Sequence, residues 1–325
     1  MELISLGKTG LKVTKIGLGL AALGRPGYIT LNRNQDLGNS RDVKSMQKAT
    51  FKVLDSAWMH GIRYFDVARS YGLSEKFLAE WLEHKNIKAD ELVVGSKWGY
   101  VYNANWEVSA DKHEIKYHTL ENYKRQKEES FGILRDYLKL YQIHSATLES
   151  GVLEDPEIIN ALAQLKSEGV KIGLSLSGPN QSKTLIRALE VKIDNVLLFD
   201  TVQATWNILE TSVGHALSQA KSEGLGVIIK EALANGRLFH INELSKDKSA
   251  VVSNAISQLN TTADAFAMAC ALQEPFSDVV LSGAATVKQL ESNIKVERLS
   301  KLIEIPVFAE EPVKYWKKRS ELPWN

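Results

Sequence analysis

The sequence predicts an α/β protein, a (β/α)8 TIM barrel with an N-terminal β-hairpin and long loops at its C-terminal face. Short apolar runs alternate with segments of helical period along its 325 residues. Two helix ends carry the same Lys-Ser-Glu-Gly sequence, with their glycines Gly169 and Gly224 55 residues apart, a distance that holds two strand–helix units. Eight such units need roughly 250 residues. No Pro- or Ser-rich linker interrupts residues 1–325, which favours a single domain.

The first predicted element is the hairpin, in which residues 2–5 and 11–14 flank the turn-rich Gly7-Lys8-Thr9-Gly10. Eight apolar runs then follow, each short enough to be a strand buried on both faces. They are Lys15 to Ala21, Ile62 to Val67, Glu91 to Trp98, Leu138 to His144, Val170 to Ser177, Val196 to Gln203, Leu225 to Glu231 and Val279 to Ala284.

The segments between these runs have the spacing of amphipathic helices. Ile158, Leu162 and Leu165, for example, recur at i, i+4 and i+7. A glycine in the left-handed conformation commonly ends a helix, and Gly61, like the two glycines of the repeated tetrapeptide, directly precedes a predicted strand. The sequence therefore predicts helices that end just before the next strand begins.

Three segments exceed the minimal barrel: residues 24–41, residues 99–117 and the tail beyond residue 305. Loops that follow the strands build the functional site of such barrels, so we expect the first two at its mouth. The second is rich in aromatic residues, which favours a pocket wall over simple packing on the scaffold.

Composition excludes several classes of function. With 40 Lys+Arg against 39 Asp+Glu, the net charge of +1 gives no general attraction to nucleic acid or to an anionic membrane. No apolar stretch is long enough to span a bilayer, and the first residues do not resemble a secretion signal, so a cytoplasmic location is expected. The single cysteine, Cys270, excludes an internal disulfide and a multi-cysteine zinc site, and no metal is expected. The oligomeric state is not indicated.

One motif points to a different fold. Residues 17–22, Gly-Leu-Gly-Leu-Ala-Ala, match the G-x-G-x-x-A fingerprint of doubly wound dinucleotide-binding domains. That fingerprint needs a helix directly behind it, so that the pyrophosphate meets the helix N-terminus. Residues 24–27, Gly-Arg-Pro-Gly, cannot begin a helix cleanly, and the doubly wound interpretation is therefore rejected.

Polar residues lie at the carboxyl ends of three predicted strands. Asp66 and Lys97 occupy otherwise apolar strand ends, Tyr71 follows Asp66 by five residues, and His144 ends the next strand. A buried charge needs a partner or a solvated mouth, and adjacent barrel strands would bring Asp66 and Lys97 together. The alternatives are a structural ion pair and solvated strand ends.

Together these four residues suit proton donation to a carbonyl oxygen as charge develops on it. A neighbouring ammonium favours the phenolate and would lower the pKa of Tyr71 from its usual value near 10. His144 taken alone indicates a hydrogen-bonded buried histidine. No Ser-His-Asp or Gly-x-Ser-x-Gly pattern indicates acyl transfer.

From about Leu6 to Asn293 the sequence resembles the aldo-keto reductase family. The opening segment 6–13, the Asp/Tyr segment 61–72, Lys97 and the strand end 141–144 carry the resemblance. It implies a nicotinamide cofactor bound by a barrel without a Rossmann domain. It also implies that Tyr71 is the general acid in reduction and the base in oxidation, that Lys97 lowers its pKa, that Asp66 holds Lys97, and that His144 orients the substrate carbonyl.

The resemblance further implies where the cofactor is held. Ser175 and Gln203 match the residues that hold the carboxamide, and Asn293 would reach the adenine. Further cofactor contacts are expected after the carboxyl ends of the seventh and eighth strands. The full set of expected cofactor residues is Ser175, Gln203, Lys230, Leu233, Gly236, Gly283, Gln289 and Asn293.

The sequence departs from the family pattern at several of these positions. Leu176 stands where an Asn usually follows the Ser, and Lys230 stands where a Tyr often stacks on the nicotinamide. Gly283 and Gln289 replace the Lys and Arg of members that bind a 2′-phosphate, a role that Lys288 or Arg25 could take. The departures resemble the sugar-dehydrogenase branch. NADP(H) is expected, with NAD(H) a close alternative.

The resemblance implies an NAD(P)(H)-dependent oxidoreductase that interconverts a carbonyl (aldehyde, ketone or sugar) and an alcohol by hydride transfer. Trp98, Tyr100 and Trp106 are expected to form aromatic walls around this small-molecule substrate. The alternative is a regulatory or interaction subunit of the same family, which binds cofactor with little turnover. The order of the four polar residues favours the enzyme.

Overall fold

The computed structural model describes residues 1–31, 40–299, 306 and 308–324. Its strands and helices alternate along most of the chain. The strands are β1 (Leu3–Ser5), β2 (Lys12–Thr14), β3 (Ile16–Gly19), β4 (Tyr64–Asp66), β5 (Val93–Trp98), β6 (Tyr100–Tyr102), β7 (Glu114–Lys116), β8 (Leu138–Ala146), β9 (Lys171–Leu176), β10 (Lys192–Ile193), β11 (Val196–Leu197), β12 (Thr201–Thr205), β13 (Gly226–Lys230) and β14 (Val279–Ser282). The α-helices are α1 (Val43–Met59), α2 (Ser74–Lys85), α3 (Leu120–Leu134), α4 (Pro156–Ser167), α5 (Gln181–Glu190), α6 (Gly214–Glu223), α7 (Lys246–Leu259), α8 (Ala263–Leu272), α9 (Val287–Asn293) and α10 (Pro312–Ser320).

Eight parallel strands close into a barrel in the order β3, β4, β5, β8, β9, β12, β13 and β14. The last strand pairs with the first, Val280 opposite Ile16, which closes the ring. Each strand lies beside its sequence neighbour in the barrel, as a right-handed strand–helix–strand repeat requires. The predicted (β/α)8 barrel is confirmed.

The N-terminal hairpin covers the end of the barrel at which the strands begin. β1 and β2 pair antiparallel, and the backbone N–H of Lys8 donates to the carbonyl of Gly224 at 2.8 Å. Gly7, with φ of +51°, lies so close to the start of β13 that a Cβ would meet the Gly226 nitrogen at 2.3 Å. Leu6 is buried inside a cluster of barrel side chains, so this end is a packed plug.

The predicted helix ends are observed. Gly61, Gly169 and Gly224 have φ values of +85°, +97° and +100°, the left-handed conformation that stops a helix. The GxGxxA motif has no helix behind it, because β3 ends at Gly19 and residues 21–26 form turns and bends. Both observations support the barrel rather than the doubly wound interpretation.

The sixth barrel strand differs from its predicted range of 196–203. Residues 196–197 pair with residues 192–193 in a separate small hairpin, and the barrel strand is β12, at 201–205. The apolar run from Val196 to Phe199 lies in the small hairpin and the two residues after it, before the barrel strand begins at Thr201, and hydrophobicity alone does not show this. Gln203 therefore lies in the middle of its strand rather than at its end.

The two longer segments outside the minimal barrel contain structure of their own. Between β5 and α3, strands β6 and β7 form an antiparallel hairpin. Gln126 of α3 closes its base, accepting from Gly99 N at 2.8 Å and donating to Tyr100 O at 2.8 Å. In the tail, helix α10 buries Tyr315 and Trp316 against the rest of the protein. Of the predicted segment 24–41, residues 32–39 lie outside the described residues.

Within the described residues, no helix combines the length and apolarity needed to cross a bilayer. Nor does this part of the chain hold a group of three or more His, Cys, Asp or Glu side chains arranged to bind a metal ion. Cys270 is buried in α8, where burial raises the pKa of its thiol to about 12.

Candidate active site

A pocket opens at the carboxyl ends of the barrel strands, where loops, the β6–β7 hairpin and the tail surround it. Three of the four polar residues predicted at strand ends line it: Asp66, Tyr71 and His144. The fourth, Lys97, is fully buried directly behind them. The fold therefore brings together the whole predicted group at the face where such barrels place their chemistry.

Lys97 and Asp66 form an ion pair inside the barrel. The Lys97 ammonium contacts Asp66 Oδ1 closely and donates to the carbonyl of Val67 at 3.1 Å. Both side chains are almost fully buried. Burial lowers the pKa of Lys97, and the carboxylate opposes that effect. Because neither charge has water around it, each holds the other in one position.

Tyr71 lies against this pair. Its ring centroid is 4.8 Å from Lys97 Nζ and 5.4 Å from the His144 ring. Burial raises the pKa of the phenol well above its usual value, and the nearby Asp66 carboxylate adds to the rise. The pKa of Tyr71 therefore moves in the direction opposite to the lowering expected from Lys97, chiefly because burial penalises the phenolate and secondarily because the Asp66 carboxylate repels it. The phenol is therefore protonated at neutral pH and can donate.

His144 lies two residues before the end of its strand, which runs to Ala146, and is a neutral imidazole. Burial lowers its pKa well below the usual value, and the charge of Lys97 lowers it further. Its Nδ1 lies 3.3 Å from the Ser70 hydroxyl, one residue before Tyr71. The Tyr100 ring packs against the imidazole edge at 5.0 Å. A neutral, oriented imidazole can hydrogen-bond to a carbonyl without adding a charge.

Gln203 reaches the Asp66–Lys97 pair from the opposite side of the barrel. Its amide nitrogen donates to Asp66 Oδ2 at 2.8 Å, while Lys97 occupies Oδ1. The two oxygens of Asp66 are thus held by different strands. Gln203 also lines the pocket, so one side chain links the ion pair with the space above it.

Lys230, the departure at the seventh strand end, is half-buried and lines the pocket. Its ammonium donates to Thr205 Oγ1 at 2.7 Å, and burial lowers its pKa to about 8 against the attraction of Glu231. The Glu231 carboxylate is paired with Arg319 of helix α10 at 2.6 Å. Burial acts to raise the Glu231 pKa, but Arg319 and Lys230 hold it at about 2. This corner of the pocket therefore carries two cations and one carboxylate.

Seven of the residues expected to hold a cofactor line the same pocket. They are Gln203, Lys230, Leu233, Gly236, Gly283, Gln289 and Asn293. The eighth, Ser175, is buried behind the wall, where its hydroxyl accepts from Ser145 N at 2.8 Å. Its neighbours Ser145 and Ser177 line the pocket in its place.

The three aromatic residues expected to contact substrate separate in the structure. Tyr100 lines the pocket. Trp98 is fully buried and packs on Tyr123 of α3 at 5.0 Å, because the side chain after Lys97 points to the opposite face of the strand. Trp106 packs on Phe77 at 6.3 Å and donates to the Arg41 carbonyl. Trp98 and Trp106 therefore support the wall rather than form its inner surface.

Sequence reasoning gave no functional role to several residues that line the pocket. Glu114, Asn235, Asp264 and Trp324 are among them, and the pattern gives Arg25 no role beyond a possible phosphate contact. Three of these five, Arg25, Glu114 and Trp324, lie in the segments 24–41, 99–117 and the tail. The expected position of these segments at the mouth of the barrel is the sequence evidence that could have indicated a role. Asp264 begins a helix, where an acidic residue usually indicates a helix N-terminus rather than a site.

The arrangement suits one type of chemistry. A buried, protonated phenol lies beside a buried ammonium and a neutral imidazole, at the floor of a pocket that continues along the strand ends to Asn293. These groups can give a proton to an oxygen that gains negative charge and can stabilise that charge by hydrogen bonds.

Comparison with known proteins gives the same picture. The model of the aldo/keto reductase family matches residues 15–304. The chain is 27% identical to L-galactose dehydrogenase of Arabidopsis thaliana over 312 residues, which cover 90% of this chain and 87% of that protein. It is 28% identical to D-threo-aldose 1-dehydrogenase of a Pseudomonas species over 250 residues, 71% of each chain.

Among solved structures, the fold is similar to that of an aldo-keto reductase from Bacillus halodurans in its holo form. The TM-score is 0.70 at 20% identity, and the match covers 98% of this chain and 96% of the other. At that identity the likeness supports the barrel alone. With the family model spanning nearly the whole chain, this protein belongs to the aldo/keto reductase family.

Proposed function

We propose that this protein is an NAD(P)(H)-dependent oxidoreductase that interconverts a carbonyl and an alcohol, with Tyr71 as the proton donor in reduction. The observation that carries the proposal is the protonated Tyr71 phenol in the pocket, 4.8 Å from a buried ammonium and packed on a neutral imidazole. Family membership supports an oxidoreductase that acts on aldehydes or sugars.

The pocket lining fits a dinucleotide. The buried amide oxygen of Asn235 has no hydrogen-bond partner among the described residues, although it belongs to the pocket wall, so it is ready to accept from a ribose hydroxyl. Lys230 offers a cation to a pyrophosphate, and Gln203 offers its amide to a carboxamide. A nicotinamide cofactor bound here supplies the hydride for reduction and accepts it for oxidation.

The residues of the chain supply the rest of the mechanism. His144 orients the carbonyl oxygen, and Tyr71 donates its proton to that oxygen as the carbon gains a hydride. The phenolate that forms is stabilised by Lys97, whose own position is fixed by Asp66 and, through Asp66, by Gln203. In the reverse direction Tyr71 accepts the proton of the alcohol. The closed walls hold the reacting groups together and exclude water.

The choice between the two nucleotides depends on the end of the pocket near Asn293. The resemblance places NADP(H) first. At this end, however, Asp264 lines the pocket as a buried carboxylate that accepts from Asn293 at 2.7 Å, and Gln289 is neutral. A nearby carboxylate opposes a 2′-phosphate, which supports NAD(H) as the alternative.

The test is a titration of the purified protein with NADPH and, separately, with NADH, following nicotinamide fluorescence. 4-Nitrobenzaldehyde is then added. We expect saturable binding of at least one nucleotide and its oxidation by the aldehyde in wild type, with binding but little oxidation in Tyr71→Phe. Binding with no oxidation by any carbonyl would favour the regulatory subunit, and no binding of either nucleotide would refute the proposal.

A further inference from the structure

A buried ion pair forms part of the pocket wall beside Tyr71. Arg25, in the loop after β3, lies 2.9 Å from Glu114 Oε1, on strand β7 of the insertion hairpin. Both residues line the pocket, with side chains 2% and 19% exposed. The two partners come from different segments of the chain, which meet only at the mouth of the barrel.

The Arg25 guanidinium is fixed in place next to the proton donor. It donates to the carbonyl of Ser70 at 3.0 Å, and the Cζ atom of Arg25 lies 5.3 Å from the centroid of the Tyr71 ring. The rings of Tyr28 and Trp324 lie at 5.5 and 5.0 Å from it. A group bound to Arg25 is therefore held close to whatever Tyr71 protonates.

The carboxylate still has capacity to accept a hydrogen bond. Glu114 Oε1 is buried, and within the described part of the chain it accepts no hydrogen bond of good geometry, although it contacts Arg25 as an ion. A carboxylate oxygen has more than one acceptor position, and a hydroxyl is a donor that can use it. Because Oε1 is closed off against Arg25, a bound hydroxyl would meet the part of the Glu114 side chain that stays exposed, 19% of it.

Taken together, the pair offers the chemistry that recognises hydroxyl groups. Arginine donates, glutamate accepts, and the flat faces of Tyr28, Tyr100 and Trp324 provide apolar contact on the same wall. The pair is also neutral as a unit. It therefore offers no net attraction to an anionic substrate and suits an uncharged hydroxylated one.

We propose that Arg25 and Glu114 recognise hydroxyl groups next to the reacting carbonyl, so that the substrate is a polyhydroxylated aldehyde or ketone, such as an aldose, rather than an apolar carbonyl. This inference rests on the proposed reductase function. A merely structural ion pair would join the same two segments, but it would not make the rate depend on hydroxyls of the substrate.

The experiment compares glyceraldehyde with propanal, which have the same three-carbon chain and differ in their hydroxyl groups. kcat/KM is measured for each with the preferred nucleotide and expressed per free, unhydrated aldehyde. We expect wild type to prefer glyceraldehyde by about 100-fold or more, because a site built to bind hydroxyls discriminates strongly against an analogue without them.

Substitutions then assign that preference to the pair. Glu114→Leu should lower kcat/KM for glyceraldehyde by about 10- to 100-fold and change that for propanal by less than about threefold. Glu114→Gln keeps one acceptor and should have a smaller effect. Glu107→Gln, an exposed residue of the same insertion outside the pocket wall, is the control and should leave the ratio unchanged. Nucleotide titration checks that each variant is folded.

The outcomes separate this inference from the proposed function. If 4-nitrobenzaldehyde is reduced but wild type uses propanal as well as glyceraldehyde, or uses neither, the inference is wrong and the reductase stands. If wild type prefers glyceraldehyde and both Glu114 variants keep the preference, the pair only joins two segments. If no carbonyl is reduced with either nucleotide, the proposed function itself fails.

Discussion

The two ends of the barrel are built from different chemistry. At the end where the strands begin, Leu6 and the barrel side chains around it form an apolar plug, covered by a hairpin that packs backbone against backbone. At the end where the strands finish, three ion pairs surround a pocket: the fully buried pair of Asp66 with Lys97, and the partly buried pairs of Glu114 with Arg25 and Glu231 with Arg319.

This difference separates stability from chemistry. Apolar burial stabilises the fold wherever it occurs, whereas a buried ion pair costs nearly as much in lost hydration as it returns. The closed end can therefore be optimised for packing alone. The open end keeps charges that stabilise the protein little but, under the proposed function, hold Tyr71 and a substrate in position. Substitutions at the closed end should therefore lower stability and leave turnover unchanged, whereas those at the open end should lower turnover even where stability is kept or restored.

The largest effect is expected from Tyr71→Phe at the open end. It removes one proton donor and almost no volume, so turnover should fall about 10²- to 10⁴-fold while nucleotide affinity stays within about threefold. Steady-state kinetics and fluorescence titration measure the two quantities. Tyr117→Phe, on an exposed side chain of the insertion, is the matched control. Turnover by Tyr71→Phe at the wild-type rate would remove Tyr71 from the mechanism.

Lys97→Met should damage both properties, because it leaves the buried Asp66 carboxylate without its partner. We expect a loss of about 3–5 kcal/mol in the free energy of unfolding, measured with urea, together with lower turnover. Adding Asp66→Leu removes the unpaired charge and should restore stability without restoring turnover. If turnover returned with stability, the pair would be structural rather than catalytic.

Leu6→Ala tests the closed end. The side chain is fully buried in the plug, so its truncation should cost about 2–5 kcal/mol of unfolding free energy and leave kcat/KM nearly unchanged. Leu3→Ala, on the same hairpin but half exposed, should cost much less. A Leu6 variant of wild-type stability, or one that lost turnover while still folded, would break the separation between the two ends.

The smallest effect is a change of nucleotide affinity with pH. Because burial lowers the pKa of Lys230 to about 8, its positive charge is present below that pH and lost above it. Affinity for the anionic nucleotide should therefore weaken by up to about tenfold as pH rises through that range. Lys230→Met should flatten the dependence, and Lys230→Arg should keep high affinity to pH 10. Identical profiles for wild type and Lys230→Met would exclude Lys230 from nucleotide binding.

Much of the fold was predictable because its signals are local. Apolar runs bounded by glycine give the barrel strands, and left-handed glycines mark the helix ends. The sixth strand was misplaced because one apolar run crosses a small hairpin before the barrel strand begins. Hydrophobicity does not show that such a run pairs within the small hairpin rather than with the neighbouring barrel strands.

The site was predictable to the extent that strand ends determine it. Asp66, Tyr71, Lys97 and His144 meet because parallel strands end at one face. The direction of Trp98 follows from its position directly after Lys97 in the same strand and could have been predicted. The pairing of Arg25 with Glu114 was not predictable, since it depends on contacts between distant loops. The raised pKa of Tyr71 likewise depends on burial, which spacing along the chain does not reveal.

The way in which Gln126 closes the base of the insertion has a consequence for engineering. Gln126 fixes the first end of that hairpin by bonds to backbone atoms of Gly99 and Tyr100, and the last end is joined to it by Tyr117 N, which donates to Gly99 O at 2.7 Å. Within residues 101–116, side chains add attachments of their own through Glu114 to Arg25 and through Trp106 to the Arg41 carbonyl. Segments of other sequence and length could be grafted between the two backbone anchors with these contacts kept or replaced, to redirect selectivity while Asp66, Tyr71, Lys97 and His144 are left intact.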